Sequence, residues 1–500
     1  MQFSALALTI SILAGTLFAA SASAEIHVRK GGSFPTISAA LAAARKGETI
    51  LVAPGTYHER LNIDRLVTLK GESGSVTIDG DGKGTVVAVR APGVVISHLR
   101  ISGSGKIRAK YEIWGRAGIA IYADDVRIEN SEIVNNESGI LIWRASGAVI
   151  AENNIHDNAA EGLLAVGASA AVIQNNLVAG NGLTGIEIMK ISPESPNDVR
   201  APERRESLII PTGNMIADNR VQENALAGII LNGARKSIVE NNLVRNNRKA
   251  PSAYLSLLQS ISNSPGEGVQ IFANMDGSGI LISCDATENV VRSNLTYGNQ
   301  GPGITLYGSD DNDIHDNRVR NNRDGIMILA SGKNRFVRNQ VRSNARYGIA
   351  FLRLPLPNGN SNPFDSGGNL VWLNEFAENP TNAYDATSAS RKSARDLLSS
   401  MQYLKRRMTP AQRRDLERAL AKEGKTLADY ERNNLHTLRK LKASATPNRW
   451  DAENRGNHYD DFDEPREGFM DRDGDGIGER PHHIAGGNAV DRHPLAHNPG

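Results

Sequence analysis

From about residue 86 to residue 376 the chain repeats one short pattern. A glycine followed by isoleucine or leucine opens an apolar run, a polar turn follows, a second short apolar run comes next, and an asparagine precedes the next glycine. The opening glycines are Gly118, Gly139, Gly162, Gly185, Gly228, Gly279, Gly303, Gly325 and Gly348. Most spacings fall between 21 and 24 residues; two are longer, 43 and 51. Asn135, Asn158, Asn181, Asn224, Asn299, Asn321 and Asn344 each stand four residues before a repeat boundary. Within a unit apolar residues alternate, as with Ile326 and Ile328, which is the period of a strand with one buried face.

A period near 22 residues is too short for paired-helix repeats, and the leucine-rich-repeat consensus is absent. The pattern predicts a right-handed parallel β-helix, an all-β solenoid. Its coils stack about 4.8 Å apart, so equivalent residues lie above one another. Inward Ile, Leu and Val then form continuous stacks. The asparagine column sits at a turn, where its amide can bond to the coils above and below. The two long spacings predict insertions at residues 191–213 and 249–276, and loops that leave a regular solenoid commonly shape a binding face.

The flanks differ. Residues 34–45 (FPTISAALAAAR) read as a short amphipathic helix able to cap the first coil. The solenoid is expected over 25–385, followed by a helical appendage at 386–446 and an acidic tail at 447–500. Helices are expected at 389–408, 410–422 and 427–442, with Thr409-Pro410 starting the second. Residues 1–24 read as a secretory leader ending in Ala22-Ser23-Ala24, which places the mature protein in the periplasm or outside the cell. No later run reaches the ~18 apolar residues of a membrane helix. Cys284 is the single cysteine, expected as a buried packing residue with no disulfide partner.

Composition sharpens this picture locally. The net charge of +2 gives no general attraction to nucleic acid. Residues 387–445, however, carry 15 Lys/Arg against 6 Asp/Glu, and residues 451–500 carry 12 acids against 5 bases. Either the two segments balance each other or the basic helices meet an anionic polymer or membrane surface. In the tail, residues 471–479 (DRDGDGIGE) space Asp471, Asp473, Asp475 and Glu479 like the ligands of a calcium loop, with Gly476 at the sharp turn. The position of the usual bidentate Glu holds His482. His458, His482, His483, His493 and His497 form no recognised transition-metal spacing.

If Gly+1 and Gly+3 point inward, Gly+2 and Gly+4 point out. The outward set includes Tyr122, Trp143, Glu187, Met189, Asn232 and Tyr307, followed in some coils by Arg144, Lys190 or Arg353. Aromatic rings suit stacking on sugars, and cations suit acidic sugars. Proton abstraction beside a sugar carboxylate requires that carboxylate to be neutralised, together with an acid and a base. Arg144, Lys190 and Arg353 are the candidate neutralisers. Tyr307 is the leading acid/base candidate, ahead of Tyr122 and His315. Tyr122, Trp143, Glu187 and Asn232 are candidate substrate contacts. A hydrolase would need two facing carboxylates, and Asp310, Asp311 and Asp313 fall in a turn.

The repeat, the opening run GETILVAPGTYHERLNIDRLVTLKGE (residues 47–72) and the ending RWDAENRGNHYDDFDEPREGFMDRDGDGIGERPHHI with its later DRHPL resemble the β-helix superfamily shared by pectate lyases, alginate epimerases and NosD-type periplasmic proteins. The ending is most similar to the NosD type. The resemblance implies either lyase or C5-epimerase action on an acidic polysaccharide, or a non-catalytic accessory role with partner proteins in copper-enzyme maturation. The epimerase motif Asp-Pro-His-Asp is absent; the nearest string, Asp313-Ile314-His315-Asp316, lacks the proline.

Overall fold

The computed structural model describes residues 25–106, 116–191, 208–252, 275–353, 366–387, 395, 410–422 and 426–499. The leader, the helix expected at 389–408 and most of both insertions lie outside these residues. Within them, every coil contributes one short strand to each of three parallel sheets of 13, 12 and 13 strands. We call these sheets 1, 2 and 3 in that order. Sheet 1 runs from Glu25–Val28 to Leu370–Trp372, sheet 2 from Leu61–Ile63 to Thr381–Asp385, and sheet 3 from Gly55–His58 to His458–Tyr459.

The Gly-Ile steps make sheet 2. Ile119, Ile140, Leu163, Ile186, Ile229, Ile280, Ile304, Ile326 and Ile349 stand in one register column and are fully buried. Each inward side chain is covered by its equivalents above and below. Truncating one to Ala should therefore cost ~2–5 kcal/mol.

Asparagine ladders run through the turns. Between sheets 3 and 2, Asn158 donates Nδ2–H to Oδ1 of Asn181 (2.9 Å), and Asn181 does the same to Asn224 (2.8 Å). The ladder corrects the expected column in two coils. Its members there are Asn136 and Asn322, fully engaged, whereas Asn135 and Asn321 take left-handed backbone at the bend. A second ladder (Asn153 to Asn457) joins sheets 1 and 3, and a third (Asn289 to Asn448) joins sheets 2 and 1.

Both ends are closed. Helix α1, Ile37–Ala43, starts at Thr36, whose hydroxyl accepts the Ala39 N–H at 3.2 Å, and it buries Ile37, Ala40 and Leu41 against the first coils. It is shorter than the expected 34–45. At the other end Phe351 packs edge-on against Phe336 (6.0 Å) and Trp450 (5.7 Å), while Phe376 stacks on Tyr459 (5.6 Å).

The acidic segment after residue 447 is part of the solenoid. Arg449 bridges to Leu370, and His458–Tyr459 extends sheet 3 beside Glu375 and Phe376. The basic helical segment therefore interrupts the last coil, between Thr387 and Asn448. Its described helices are α2 (Pro410–Lys422) and α3 (Leu427–Ala445). The end of α3 lies on the coils, with Lys440 Nζ 2.8 Å from Asp285 and Ala443 against Gly332.

The cap-helix segment 29–48 joins two strands of sheet 1, and five further long gaps between described strands adjoin sheet 2 in the chain. Residues 107–115 and 253–274 come just before its strands; residues 192–207, 354–365 and 388–447 come just after them. Sheets 1 and 3 are joined by tight turns up to Glu375–Ala377, and by residues 450–457 in the last coil.

Candidate functional site on the outer face of sheet 2

The alternation expected for sheet 2 holds. Tyr122, Trp143, Met189, Asn232 and Tyr307 share an outward column, with Val166 and Ser283 filling its gaps. Glu187 lies in the neighbouring outward column, between Leu164 and Ile230. This face is outward without being openly exposed. Leu141, Leu164, Ile230, Leu281 and Met327 all point out, yet none exceeds 5% exposure.

Two apolar patches flank a polar centre. The lower patch joins Ala120, Leu141, Leu164, Val166 and Ile191 to Tyr122 and Trp143. The upper patch joins Ile230, Leu281, Met327 and Leu329 to Tyr307. Tyr307 shares the register of Trp143 but stands five coils above it, roughly 24 Å away at the usual strand spacing. The aromatic residues thus form a pair and a separate ring. Arg90 covers Tyr122 at 4.7 Å, and Arg144 covers Trp143 at 5.6 Å.

The polar centre brings together Glu161, Thr184, Glu187, Lys190, Asn232 and Asp285. Glu161 lies one coil below Thr184 and accepts a hydrogen bond from Ser138 Oγ (2.9 Å). Burial pushes its carboxyl up from the usual range. Glu187 is pushed up to about 8, first by burial and then by the charge of Glu161, while Asn232 and Thr184 pull the other way. Both carboxyls nevertheless keep partial access to solvent. Thr184 is fully buried beside Glu187.

Asp324 supplies the contrast. It is fully buried, and Arg346 (2.7 Å) and Arg323 (2.9 Å) neutralise it. Neither Glu161 nor Glu187 has an arginine or lysine partner among the described residues.

The expected neutralisers are differently placed. Lys190 crosses Gly233 and donates to the Cys284 carbonyl (2.7 Å), with Asp285 Oδ2 at 3.4 Å. Lys440 reaches the other oxygen of Asp285. Arg144 turns onto Trp143, and Arg353 ends the sheet-2 strand far above the centre. Cys284, expected in the core, is exposed in left-handed backbone at the strand end. Burial raises the Tyr307 hydroxyl above its usual range, and nearby Lys440 partly opposes this.

His315 lies on sheet 1, paired with Asp316 (2.6 Å), away from this face. Asp310 accepts the Gly332 N–H (2.7 Å) in the turn, whereas Asp313, expected in the same turn, opens a sheet-1 strand and pairs with Arg335.

At the tail, Asp471, Asp473 and Glu479 bring carboxylate oxygens within 4.8 Å of one another. Asp475 is not in that group; it accepts the Ile477 N–H (2.8 Å). The tail histidines disperse. His482 stacks beside Tyr459 (4.3 Å), His458 pairs with Asp463 (3.1 Å), and His493 approaches Asp451 (3.3 Å). The other group with metal-ligand convergence among the described residues is His58, Asp79 and Asp81 on sheet 3.

Sequence reasoning found Glu187, Lys190 and Asn232 but missed Glu161, Thr184 and Asp285. Glu161 precedes the glycine of its repeat, but Asp324 does the same in another coil, so that position alone gives no signal for it.

The chain is a right-handed parallel β-helix. Residues 75–271 match the family described as right-handed β-helix region, and residues 267–395 match the family described as periplasmic copper-binding protein (NosD). Among solved structures, a GH87 α-1,3-glucanase catalytic domain in complex with tetrasaccharides is 15% identical, covering 76% of this chain and 68% of that one, TM-score 0.50. The Azotobacter vinelandii mannuronan C-5 epimerase AlgE6 A-module is 14% identical over 69% of this chain and 90% of that one, TM-score 0.47. The periplasmic alginate epimerase AlgG is 17% identical over 68% and 73%, TM-score 0.37. The glucanase similarity, at 15% identity, bears on the fold alone. No curated protein matches the sequence.

Proposed function

We propose that this chain is an exported β-helix protein that binds and processes a polysaccharide along the outer face of sheet 2. The observation that carries the reading is the concentration of departures and chemistry on one sheet. Five long gaps between strands adjoin sheet 2 in the chain, and its outer face holds two carboxyls without cationic partners among the described residues, between apolar, aromatic-containing patches. Insertions that leave a solenoid next to one sheet commonly shape a binding face. Lys190 and Lys440 together outnumber Asp285, so acidic polysaccharides are the first class to test.

The test is calorimetric titration of the purified protein with alginate, pectate and a neutral α-glucan, followed by product analysis. Unsaturated ends would indicate elimination, solvent deuterium in the ring epimerisation, and new reducing ends alone hydrolysis. Failure to bind any member of the panel would remove this reading.

A second reading is favoured by the NosD match over residues 267–395. In it the chain handles copper for a partner and performs no glycan chemistry. His58, Asp79 and Asp81 are the described group to examine. Copper titration of the wild type and H58A would separate the two.

We also propose that Asp471, Asp473 and Glu479 hold a calcium ion, as their spacing and convergence support. The ion would tie the 471–479 turn and do nothing at sheet 2.

A further inference from the structure

We infer that the outer face of sheet 3 is a second binding surface, which holds a linear, carboxylate-bearing polysaccharide on arginines that have no acidic partners. The contrast is internal to the solenoid. On the strands of sheet 1, Arg127, Arg292 and Arg335 each pair with an acid of the same sheet, Glu129 (3.4 Å), Glu240 (2.6 Å) and Asp313 (3.2 Å). Toward either end of sheet 3 the same rule holds, Arg100 with Glu132 and Arg342 with Glu375. Between those pairs stand Arg220, Arg245, Arg318 and Arg320. Arg220 and Arg245 both donate to Oε1 of Gln222 (2.7 and 3.0 Å), and Arg245 also donates to the Tyr297 hydroxyl (2.8 Å). None of the four has a carboxylate within ion-pair distance among the described residues. The acid that precedes Arg318, Asp316, is already taken by His315 (2.6 Å) and Arg338 (2.8 Å).

Strand register gathers these four into one patch. The outward column Arg220, Leu243, Leu295, Arg318 runs beside the column Gln222, Arg245, Tyr297, Arg320. The residues between the columns, such as Val221 and Val244, point into the core. Arg220, Arg318 and Arg320 are exposed. Arg318 and Arg320 share one face of a strand, and Arg342 stands opposite Arg320 on the next. Like charges set against one another on neighbouring strands oppose folding. A face that carries that cost without an internal counter-charge presents a positive potential to anions in solution.

The shape of the patch selects the ligand. A guanidinium offers a planar fork that fits a carboxylate. Arg220 and Arg318 are three rungs apart, roughly 14 Å at the usual strand spacing, so a single small anion reaches one of them and a chain with repeated carboxylates reaches both. Half-buried Leu243 and Leu295 fill the rungs between and give the C–H faces of sugar rings apolar ground. Nucleic acid fits less well. Its bases need an open aromatic face, and Tyr297 is flanked by Arg245 one rung below (5.8 Å) and Arg320 one rung above (5.5 Å). The polymer class is the one placed first for sheet 2, but the surface is separate, so either assignment can fail alone.

The experiment titrates the full chain calorimetrically with alginate, with a neutral α-glucan and with single-stranded DNA of matched charge. Alginate should bind, and the double variant R318E/R320E should lower its affinity by about tenfold or more with an unchanged unfolding midpoint. R220E, at the other end of the patch, should weaken binding in the same direction, and this result does not depend on the double variant folding. Added salt should weaken alginate binding more steeply in the wild type than in R318E/R320E. Any affinity for the neutral glucan should be insensitive to these substitutions. K190A serves as the sheet-2 control. Alginate affinity lost in K190A and intact in both arginine variants would overturn the sheet-3 surface while leaving the sheet-2 site standing. Loss confined to the arginine variants would support sheet 3 as the surface that recognises acidic sugars. DNA bound as tightly as alginate, with the same loss in R318E/R320E, would overturn the polysaccharide assignment. No alginate binding at all would overturn the inference outright.

Discussion

Asp491 occupies the rung above Asn457. Its Oδ2 accepts both the backbone N–H (2.7 Å) and the Nδ2–H (3.1 Å) of Asn457, as each ladder asparagine does for the one below it. The ladders are polarised, with every asparagine–asparagine bond directed toward the C-terminal end. The last amide therefore needs an acceptor that demands nothing further, and a carboxylate is acceptor-only when ionised. All three ladders end this way. Asn448 donates to Asp385 (3.1 Å), and Asn379 passes through Asn382 to Asp460 (2.7 Å) and Asp461 (2.8 Å). Such an end gives a further asparagine coil no rung to continue.

Polarity predicts opposite tolerances for the same exchange. Asn317 donates to Val291 O (2.8 Å), His315 O (3.0 Å) and Asn339 Oδ1 (3.0 Å). N317D removes the amide that serves all three acceptors and buries a charge, and should cost ~3 kcal/mol or more. D491N should cost markedly less, since one carbonyl oxygen still serves Asn457. Urea unfolding of both variants checks the difference.

Stability should depend on pH through buried acids. Burial pushes Asp491 up to about 7 against three hydrogen bonds from Asn457 and His493. A carboxyl raised in the folded state holds its proton more tightly there than in the unfolded chain. It therefore stabilises fully below the unfolded value near 4, and that stability is lost as pH rises through about 7. The slope is ~1.4 kcal/mol per pH unit for one such group within this window. Glu187, raised to about 8, acts in the same direction to higher pH. Thermal midpoints should fall from pH 5 to 8, and D491N and E187Q should each flatten the fall.

Gly233 keeps the Lys190 contact possible. Its φ is +68°, and a Cβ there would overlap the Lys190 stem. G233A should cost ~1–2 kcal/mol from left-handed strain plus the displaced lysine. Adding K190A should relieve only the steric part, a coupling that a double-mutant unfolding cycle reads.

Chelation tests the 471–479 turn. If calcium ties it, EGTA should lower the thermal midpoint, and added calcium should restore it in proportion to the logarithm of its concentration. D471A should abolish the response. An unchanged midpoint would leave the turn held by its own bonds, such as Gly474 N–H to Asp471 (2.7 Å).

Much of the fold was legible because stacking repeats a local rule. Glycine, alternating apolar residues and asparagine recur at fixed spacing, so the coil, the inward columns and helices such as Pro410–Lys422 could be read directly. The shift from Asn135 to Asn136 and from Asn321 to Asn322 could not, because adjacent asparagines are equivalent until the backbone bends. The site was half legible. Glu187, Lys190 and Asn232 declared themselves by the outward period. The role of Lys190 did not, since its partners Cys284 and Asp285 lie about 95 residues away.

The sequence by itself determined that this chain coils, which residues line the coil's interior, and which sheet carries the unusual outward residues, because those properties depend on periods of two and about 22 residues. Tertiary structure decided what the outward residues do. It set Glu161 beside Glu187 without a cation, spent Lys190 on Asp285, and folded the acidic end back as the final coil. Those outcomes depend on which coil lies above which and on where chain departures return, and no local pattern encodes either.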